Sequence, residues 1–499
     1  MNADMNTGEV DVLVIGAGNA ALCAAVAAAD QGARVQVLER SPEEVRGGNS
    51  RFTAGAFRFA HNGLEDLSRV LTDLNEEEIA TTDFGTYPRE DFFDDMARIT
   101  QYRANPDLVE SLIDNSLETM AWMRDKGVRF QPSYGRQAFR IDGRMRFWGG
   151  LCVEAWGGGP GLVDSLFQIA GRQGIAITYD AHVKHLIVEN GRVTGVEART
   201  REGRATFHAS TVVLACGGFE SNVQWRTQYL GPGWDLAKVR GTRYNTGDGL
   251  AMALDIGAMP YGNWSGCHAV AWDRNAPEFG DLSVGDNFQK HSYPLGIIVN
   301  ARGERFVDEG ADFRNYTYAK YGRAVLEQPG QFAWQVFDAK VAPLLRDEYR
   351  IRQVTRVRAD TLDELADQLE DVDAPAFIKT LQAFNDAVRT DIPFDPSVKD
   401  GRCTEGLTVP KSNWSNPLDT PPFTAYAVTC GVTFTFGGLR IDTSARVLDS
   451  AERPIPGLYA AGELVGGLFY FNYPGGTGLM SGSVFGRIAG ISAAAASGC

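Results

Sequence analysis

The sequence is poor in cysteine and has none of the closely spaced cysteine pairs that bind metals. Its 499 residues include seven cysteines, at positions 23, 152, 216, 267, 403, 430 and 499. The lack of a C-x-x-C pair argues against zinc, iron–sulfur and attached haem, and the odd count argues against a disulfide framework. We therefore expect a protein without a bound metal.

Basic residues and long apolar runs are also scarce. The chain has 48 Lys and Arg against 63 Asp and Glu, a formal charge of -15, and so lacks the basic surface that binds nucleic acids. The longest apolar stretch, residues 20–29, is too short to cross a bilayer, and the first ten residues show no secretory signal. These features predict a cytoplasmic protein with no nucleic-acid partner and no membrane span.

Glycine, by contrast, is abundant. The chain has 56 glycines, about 11% of its residues against a usual value near 7%. Because they follow no G-x-y period, we expect them at tight turns and where the backbone approaches a ligand closely. The length is typical of two or three structural units.

The first forty residues carry a nucleotide-binding pattern. A β-branched, apolar run at 10–15 predicts a buried parallel strand, and it leads into Gly16 and Gly18 and then a helical stretch of small residues. A second strand over 34–38 ends in Glu39, 23 residues after Gly16. In this context Gly16 permits the turn, Gly18 lets the backbone approach a pyrophosphate, and Glu39 accepts hydrogen bonds from a ribose. The pattern by itself does not distinguish NAD from FAD.

Further motifs follow in a fixed order along most of the chain. They are Gly47-Gly48-Asn49-Ser50 with Thr53-Ala54-Gly55, Cys216-Gly217-Gly218-Phe219, Thr246-Gly247-Asp248-Gly249, residues 299–309 (VNARGERFVDE), Ala461-Gly462-Glu463, Gly475-Gly476-Thr477-Gly478 and Phe485-Gly486-Arg487. With these motifs the sequence resembles the FAD-dependent succinate dehydrogenase/fumarate reductase flavoprotein family. Within that family it looks most like the tricarballylate dehydrogenases.

The resemblance implies an α/β fold: a Rossmann-like FAD-binding domain of the glutathione reductase type, with an inserted α+β cap (substrate) domain. We expect the FAD-binding domain at 8–257 and 415–499 and the cap at 258–414. From the residues we also predict helices over 80–128, an antiparallel meander over 175–216 and a hairpin at VNARGERFV. Helices are predicted near 358–390, a strand at 458–461 and a last helix at 477–496.

The resemblance also implies which residues contact FAD. Val183 would face the adenine, and the amides at the start of the last helix would face the flavin. No histidine lies in 47–55, where membrane-bound relatives tether FAD, so we expect noncovalent FAD. The expected cofactor residues are Gly16, Gly18, Asn19, Ala20, Glu39, Arg40, Gly48, Asn49, Ser50, Thr53, Ala54, Gly55, Val183, Cys216, Gly217, Thr246, Asp248, Gly462, Glu463, Thr477, Gly478, Leu479 and Met480.

The catalytic residues are less clear from the resemblance. Arg314 is the nearest match to the arginine that moves the substrate proton in fumarate reductases, but it lies one residue further along, and its Glu-x-x-Arg relay has no counterpart. Arginine is by default a carboxylate ligand. We therefore keep Tyr316, Tyr318 and Tyr293 as alternative acid–base residues.

Substrate residues depart from the fumarate reductase pattern. Phe434 replaces a histidine and Tyr473 replaces an arginine, whereas His268 matches the family's other substrate histidine. Tyr473-Pro474-Gly475, which leads into Gly476, resembles the Y-P-G segment of 3-ketosteroid Δ1-dehydrogenases. A hydroxyl in an aromatic wall suits a ketone or a mostly apolar acid better than a dicarboxylate.

We therefore expect an enzyme that desaturates a C–C bond α,β to a carbonyl or carboxylate, by removal of the α-proton and hydride transfer to flavin N5. The substrate expected from overall resemblance is tricarballylate-like. Alternatives are a cyclic ketone, 3-oxosteroid or oxocyclohexanecarboxylate; a fumarate reductase-like ene-reductase; and a flavin electron carrier without chemistry of its own. The partners would be a small-molecule substrate and an external electron acceptor, either a quinone, an iron–sulfur protein or oxygen.

Overall fold

The computed structural model describes the backbone of residues 5–499 and the side chains from residue 9 onward. Its strands are β1 Met5–Ile15, β2 Val35–Leu38, β3 Ala56–Phe57, β4 Thr82–Asp83, β5 Phe130–Pro132, β6 Ala138–Ile141, β7 Arg144–Phe147, β8 Val153–Ala155, β9 Ala176–Thr178, β10 His182–Glu189, β11 Arg192–Thr200, β12 Gly203–Leu214, β13 Lys238–Val239, β14 Pro260–Asp273, β15 Ile297–Val299, β16 Phe332–Phe337, β17 Arg356–Ala359, β18 Phe423–Leu439, β19 Arg446–Leu448 and β20 Pro454–Ala460. Its helices are α1 Asn19–Asp30, α2 Leu64–Ser68, α3 Glu76–Thr81, α4 Arg89–Ile99, α5 Pro106–Asp114, α6 Ser116–Lys126, α7 Tyr134–Gln137, α8 Gly158–Arg172, α9 Val223–Trp225, α10 Asp248–Asp255, α11 Tyr318–Leu326, α12 Leu362–Gln368, α13 Ala374–Ala387 and α14 Thr477–Ser497.

The first large sheet contains the predicted nucleotide-binding strands. Its order is β10-β11-β12-β1-β2-β9, with β20 parallel to the end of β12 and β19 paired with β20. β1 runs parallel to both β2 and β12, and β10, β11 and β12 form the antiparallel meander expected over 175–216. The carboxyl ends of the parallel strands therefore meet at one edge, where α/β proteins bind ligands.

Two helices rich in small residues pack against each other beside this sheet. α14 lies against α1, and a Cβ at Gly486 or Gly490 would come within 2.4 or 2.2 Å of the carbonyl oxygens of Ala20 and Ala24. Glycine is thus required for the two helices to approach. α14 is also long and apolar enough to cross a membrane, but 61% of its apolar window is buried inside the protein, and a core helix has the same composition.

A second large sheet is built around the long strand β18. Its order is β13-β18-β16-β15, and β14 and β17 also pair with β18. β14 runs antiparallel to β18 from Pro260–Leu439 to Asp273–Val428, which places His268 opposite Phe434. Helices α12 and α13 pack on the far end of this sheet through Leu365, Phe377 and Leu381.

The α/β fold with a Rossmann-like FAD-binding unit is confirmed. One local element is shorter than expected: VNARGERFV turns back on itself, with the amide of Asn300 donating to the Glu304 carbonyl at 3.0 Å, but a single antiparallel bridge, from Val299 to Arg305, joins its two arms. β15 pairs over its length with β16. The domain limits at 258 and 414 stay a prediction. The second sheet takes strands from both sides of residue 414, since β18 is its central strand.

Candidate active site

One large cavity lies between the two main sheets. It encloses about 1860 Å³ when the open solvent at its mouth is included. It begins at Ile15, Leu38 and Ala215, at the carboxyl ends of β1, β2 and β12, and reaches β18. One cavity therefore borders both the glycine turn after β1 and the second sheet.

Most of the predicted site residues line this cavity. On the nucleotide side they are Gly16, Gly18, Asn19, Ala20, Glu39, Arg40, Gly48, Asn49, Ser50, Thr53, Ala54, Val183, Cys216, Gly217, Asp248, Gly462, Glu463, Gly478 and Leu479. On the substrate side they are His268, Arg314, Phe434, Tyr473 and Gly476. Sequence positions more than 400 residues apart are therefore brought to one surface.

The glycine turn after β1 is shaped for close approach of a phosphate. Gly16 has a φ of +104°, and a Cβ there would lie 2.4 Å from the carbonyl oxygen of Ala215. Gly18 caps α1 without a side-chain hydrogen bond, and the amide of Asn19 donates to Ser50 Oγ at 3.0 Å. The next amides of α1 have no partner within the helix, and the helix dipole favours an anion in front of them.

A charged network borders the end of the cavity beyond this turn. The Arg40 guanidinium donates to Asp248 Oδ2 at 2.7 Å, and His182 Nε2 lies 3.1 Å from Asp248 Oδ1. Although burial opposes it, hydrogen bonds from His182 and Thr246 and the charge of Arg40 lower the pKa of Asp248 below its usual range. Glu39 is buried next to this network and accepts a hydrogen bond from the amide of Ser41 at 2.7 Å. Its buried carboxyl is placed for ribose hydroxyls.

A buried network of carboxyls and amides joins the nucleotide side to β18. Asn49 Nδ2 donates to Glu220 Oε1 and to the Thr433 carbonyl, both at 2.6 Å. Glu463 Oε1 accepts from the amide of Thr435 at 2.7 Å. Burial, and then the neighbouring Glu463 carboxylate, raise the pKa of Glu220 well above its ordinary value. These contacts hold the loop that contains Asn49 against β18 of the second sheet.

The N-terminus of α14 faces the middle of the cavity. Gly476 caps this helix at a φ of +86°, where a Cβ would lie 2.6 Å from Leu151 Cδ1. Gly478 and Leu479, in its first turn, line the cavity. Free amides and a positive helix end stabilise negative charge on a bound group.

Two tyrosine hydroxyls meet next to this helix end. The Tyr318 hydroxyl donates to Tyr473 Oη at 3.1 Å, and the amide of Gly476 donates to the same oxygen at 3.0 Å. Because a hydroxyl has two acceptor positions and one proton, the Tyr473 proton stays available to the cavity. Burial raises the pKa of Tyr318 well above its ordinary value, so Tyr318 stays protonated.

Aromatic rings surround these hydroxyls. The His268 ring stacks on Phe434 at 5.2 Å and meets the rings of Tyr318 and Tyr473 edge-on, each at 4.9 Å between centroids. Burial, and then the nearby Arg240 charge, lower the pKa of His268 well below its ordinary value, which makes it neutral. Neither ring nitrogen has a hydrogen-bond partner among the described residues, so both remain available to a ligand.

Besides Arg40, four arginines line the cavity. Arg240 and Arg136 share Asp286, with Arg240 Nε 2.8 Å from Oδ1 and Arg136 Nη1 3.2 Å from Oδ2. Arg314 donates to the carbonyl oxygen of Arg136 at 2.9 Å and lies over the Trp148 ring. The fourth is Arg346, whose surroundings are given below. The same cavity therefore has an aromatic, neutral end and a cationic end.

Two predicted catalytic tyrosines lie elsewhere. Tyr316 is absent from the cavity wall; its hydroxyl donates to Asp95 Oδ2 at 2.5 Å and accepts from Arg58 Nη1 at 3.1 Å. Tyr293 is fully buried away from the wall, with its hydroxyl 2.6 Å from Thr317 Oγ1. Of the three alternative tyrosines, Tyr318 is the one that reaches the cavity.

Four predicted cofactor residues also lie off the cavity wall. They are Gly55, Thr246, Thr477 and Met480. Thr246 acts through its neighbours, because its hydroxyl bonds Arg40 and donates to Asp248 at 2.5 Å. At Gly55 a Cβ would lie 2.6 Å from the backbone of Gly158, so this glycine permits close packing.

Several residues of the cavity wall carry no recognisable sequence signal. They are Arg136, His182, Arg240, Asp286, His291 and Arg346. Each of them lies outside the family motifs described above, and the residues next to it in the sequence form no recognisable motif. The Gly-rich motifs mark where the cofactor binds, but no motif marks where the second sheet brings these side chains.

Comparison with known proteins agrees with this geometry. A family model described as an FAD binding domain matches residues 11–479. The chain belongs to this FAD-binding family, of the succinate dehydrogenase/fumarate reductase flavoprotein type. It is an FAD-dependent oxidoreductase that acts on C–C bonds.

Named relatives include both reductases and dehydrogenases. The chain is 29% identical over 491 residues to the probable fumarate reductase Ifc3 of Shewanella frigidimarina, covering 97% of this chain and 74% of that protein. It is 26% identical over 576 residues to the 3-oxosteroid 1-dehydrogenase of Mycobacterium tuberculosis, covering 98% of each. The chain spans 47% of the length of one curated relative, the NADH:fumarate oxidoreductase of Klebsiella pneumoniae.

A solved structure shows the same fold. The 3-ketosteroid Δ1-dehydrogenase from Sterolibacterium denitrificans, in complex with 1,4-androstadiene-3,17-dione, superimposes with a TM-score of 0.74 at 22% identity. The match covers 98% of this chain and 100% of that chain.

The residues on the cavity wall fit FAD. The Gly16 turn leaves no room for a side chain, the first amides of α1 and α14 lack helical partners, and buried Glu39 lies at the end of β2. When bound, FAD supplies the hydride acceptor for such an oxidoreductase. The residues of this chain supply binding, orientation and proton movement.

Proposed function

We propose that this oxidoreductase is a dehydrogenase that desaturates a C–C bond next to a ketone. One observation supports this most: Tyr473 accepts hydrogen bonds from both Tyr318 and the amide of Gly476, so its own proton points to the cavity. A hydroxyl that accepts two hydrogen bonds is a stronger donor. It polarises a carbonyl oxygen and makes the adjacent α-proton easier to remove.

Tyr318 and Tyr473 then form a proton relay. The Tyr318 oxygen accepts the α-proton while its own proton moves to Tyr473, and the Tyr473 proton moves to the carbonyl oxygen. This converts the ketone to its enol without net charge in a buried site. The same path returns the enol proton as the β-hydrogen leaves as hydride, and one proton is released to solvent.

The surrounding residues exclude water and orient the substrate. Phe434 and Phe469 each meet Tyr473 edge-on at 5.3 Å between centroids and close one side of the site. Neutral His268 offers a hydrogen bond without adding charge. A ring or chain of apolar carbons fits against these faces.

The alternative substrates are less well supported. A tricarballylate-like or fumarate-like substrate needs a charged ligand for each carboxylate, yet phenylalanine and tyrosine occupy two of those positions, at 434 and 473. The arginines favour at least one carboxylate, which keeps a mostly apolar acid within the proposal. An electron carrier has no use for the Tyr318–Tyr473 pair inside a closed aromatic wall.

The direction and the acceptor follow from redox potentials rather than from this geometry. We place the chain among the dehydrogenases because the Tyr473 segment resembles ketosteroid dehydrogenases and because one relative is a 3-oxosteroid 1-dehydrogenase. Fumarate reductase-like relatives keep the ene-reductase as the second candidate. Electrons would pass to a quinone, an iron–sulfur partner or oxygen, in the cytoplasm.

Anaerobic mixing tests the proposal. The holoenzyme is mixed without oxygen with saturated ketones, with tricarballylate and with succinate, and the flavin absorbance near 450 nm is followed. We expect bleaching by a ketone and none by the two acids. Bleaching by tricarballylate alone would favour the carboxylate substrate. No bleaching by any compound, together with reoxidation of reduced enzyme by an enone, would instead identify a reductase.

A further inference from the structure

The cationic end of the cavity has no role in the proposed ketone chemistry. It holds four arginines against two carboxylates, Asp286 and Glu348, and these arginines are largely buried. Asp286 already serves Arg136 and Arg240. Positive charge in a buried cavity is costly unless an anion accompanies it.

Arg314 and Arg346 are the two without a close carboxylate. Arg314, whose residue surface is 7% exposed, forms no ion pair within residues 9–499, and Arg346 comes no nearer than 3.7 Å to Glu348. In the described chain, Arg314 Nε and Arg346 Nε and Nη1 are buried donors without a hydrogen-bond partner. Both residues line the cavity. Unused donors of this kind match the two oxygens of a carboxylate.

The arginines and the tyrosine pair line the same cavity. The His291 ring touches Tyr318 at 4.8 Å between centroids, and His291 itself lines the cavity. After burial, the charges of Arg314, Arg240 and Arg346 contribute to the lowered pKa of His291. His291 therefore contacts the tyrosine pair and lies within reach of the charge of the arginines.

We propose that Arg314 and Arg346 bind a carboxylate of the substrate, so that the substrate is an oxo acid whose ketone lies at Tyr473. This inference rests on the proposed ketone desaturation and adds the second group that the substrate carries. A neutral ketone leaves two guanidinium groups to share the one carboxylate of Glu348 and leaves their free donors unused, whereas a dicarboxylate or tricarboxylate leaves a charge against the aromatic wall. One ketone and one carboxylate satisfy both ends.

Matched ketones test the inference. The anaerobic holoenzyme is titrated with 4-oxocyclohexanecarboxylate, with its methyl ester and with 4-oxopentanoate and its methyl ester, and flavin bleaching is recorded. Loss of a buried charge pair corresponds to about a 100-fold change in affinity, so each reactive acid should act at about 100-fold lower concentration than its ester. Equal action of acid and ester would overturn the inference while leaving the ketone proposal intact.

Arginine variants test whether the preference for the acid over its ester depends on Arg346. Arg346→Gln should reduce the preference for acid over ester from about 100-fold to near unity, and Arg346→Lys should restore part of it. Arg350→Gln is the matched control, because Arg350 lies in the same loop, is exposed and pairs with Asp347 at 2.9 Å. Flavin content reports whether each variant folds. An unchanged preference in a flavin-loaded Arg346→Gln protein would contradict the inference.

A binding measurement separates failure of the inference from failure of the proposed function. If no ketone bleaches the flavin, the ketone proposal fails. Perturbation of the flavin spectrum by 4-hydroxybenzoate, compared with phenol, then tests the carboxylate site alone. Tighter binding of the acid that Arg346→Gln abolishes supports the site; equal binding of the two phenols removes it.

Discussion

At the scale of single residues, the chemistry depends on the direction of a few hydrogen bonds. Tyr473 could hold its proton toward the protein or toward a ligand. Because the Tyr473 oxygen accepts hydrogen bonds from the Tyr318 hydroxyl at 3.1 Å and from the Gly476 amide at 3.0 Å, its own proton is directed toward the cavity. Tyr316, two residues before Tyr318, has the same functional group, but its hydroxyl is already hydrogen-bonded to Asp95 and Arg58.

Tyr473→Phe should therefore reduce kcat/KM by about 100- to 1,000-fold, the usual cost of losing one donor to a developing oxyanion. FAD should remain bound, because the ring still packs against Phe434 and Phe469. The measurement is steady-state turnover with a dye acceptor, beside the flavin-to-protein absorbance ratio.

Tyr470→Phe is the matched control for this variant. Tyr470 is three residues away and lies outside the cavity wall, so its loss should leave the rate unchanged. A normal rate for Tyr473→Phe would remove this hydroxyl from catalysis.

At the scale of secondary-structure elements, the cofactor site is made by helix ends. α1 and α14 begin at Asn19 and Thr477, behind glycine caps, and pack against each other through Gly486 and Gly490. Their close packing directs two N-termini into one cavity, where their free amides and positive ends face a ligand of high negative charge.

Gly18→Val should yield folded protein with little FAD. Gly18 has a φ of -81°, and a Cβ there meets only ordinary contacts, with Ser50 Oγ at 3.5 Å the nearest. The added side chain therefore projects toward the pyrophosphate position, and overpacking of this size weakens binding by about 10- to 100-fold. The flavin-to-protein absorbance ratio and circular dichroism measure the two effects.

Two further glycine variants show whether a loss of FAD in Gly18→Val comes from the binding site or from misfolding. Gly171→Val, at an exposed position of α8 with nothing within 4 Å of the added Cβ, should keep FAD. Gly16→Val should impair folding itself, because its Cβ would meet Ala215. Full FAD content in Gly18→Val would show that the pyrophosphate does not pass this glycine.

At the scale of the whole molecule, function arises between two sheets. The first sheet supplies the nucleotide side through Gly16 and Glu39, and the second supplies His268 and Phe434 on paired strands. Neither sheet alone encloses a site. Asn49 links them through Glu220 and the Thr433 carbonyl.

The cofactor should be held by this assembly without a covalent bond. Precipitation with trichloroacetic acid unfolds the whole chain and should release all yellow colour into the supernatant, because the segment 47–55 offers no histidine for a tether. Absorbance of supernatant and pellet is the measurement. Colour retained in the pellet would show a covalent link and would direct a search to other nucleophiles on the cavity wall.

Much of the fold was predictable because its signals are local. The expected strand at 10–15, the meander over 175–216 and the final helix at 477–496 appear as β1, β10–β12 and α14. The hairpin at VNARGERFV forms only as a turn with one antiparallel bridge, and the strand that pairs with β15 over its length is β16, which comes after α11. Strand pairing is settled by tertiary partners rather than by turn residues alone.

The sequence by itself determined the cofactor and the family. The backbone expected to hold FAD lies at glycine turns and helix ends, so its signal is found in short contiguous motifs such as 16–18, 47–55 and 475–478. Only the tertiary structure decided which of the alternative tyrosines reaches the cavity and that Arg314 and Arg346 share one cavity wall. Those side chains come from separate segments, and their exposure to the cavity depends on how the two sheets pack.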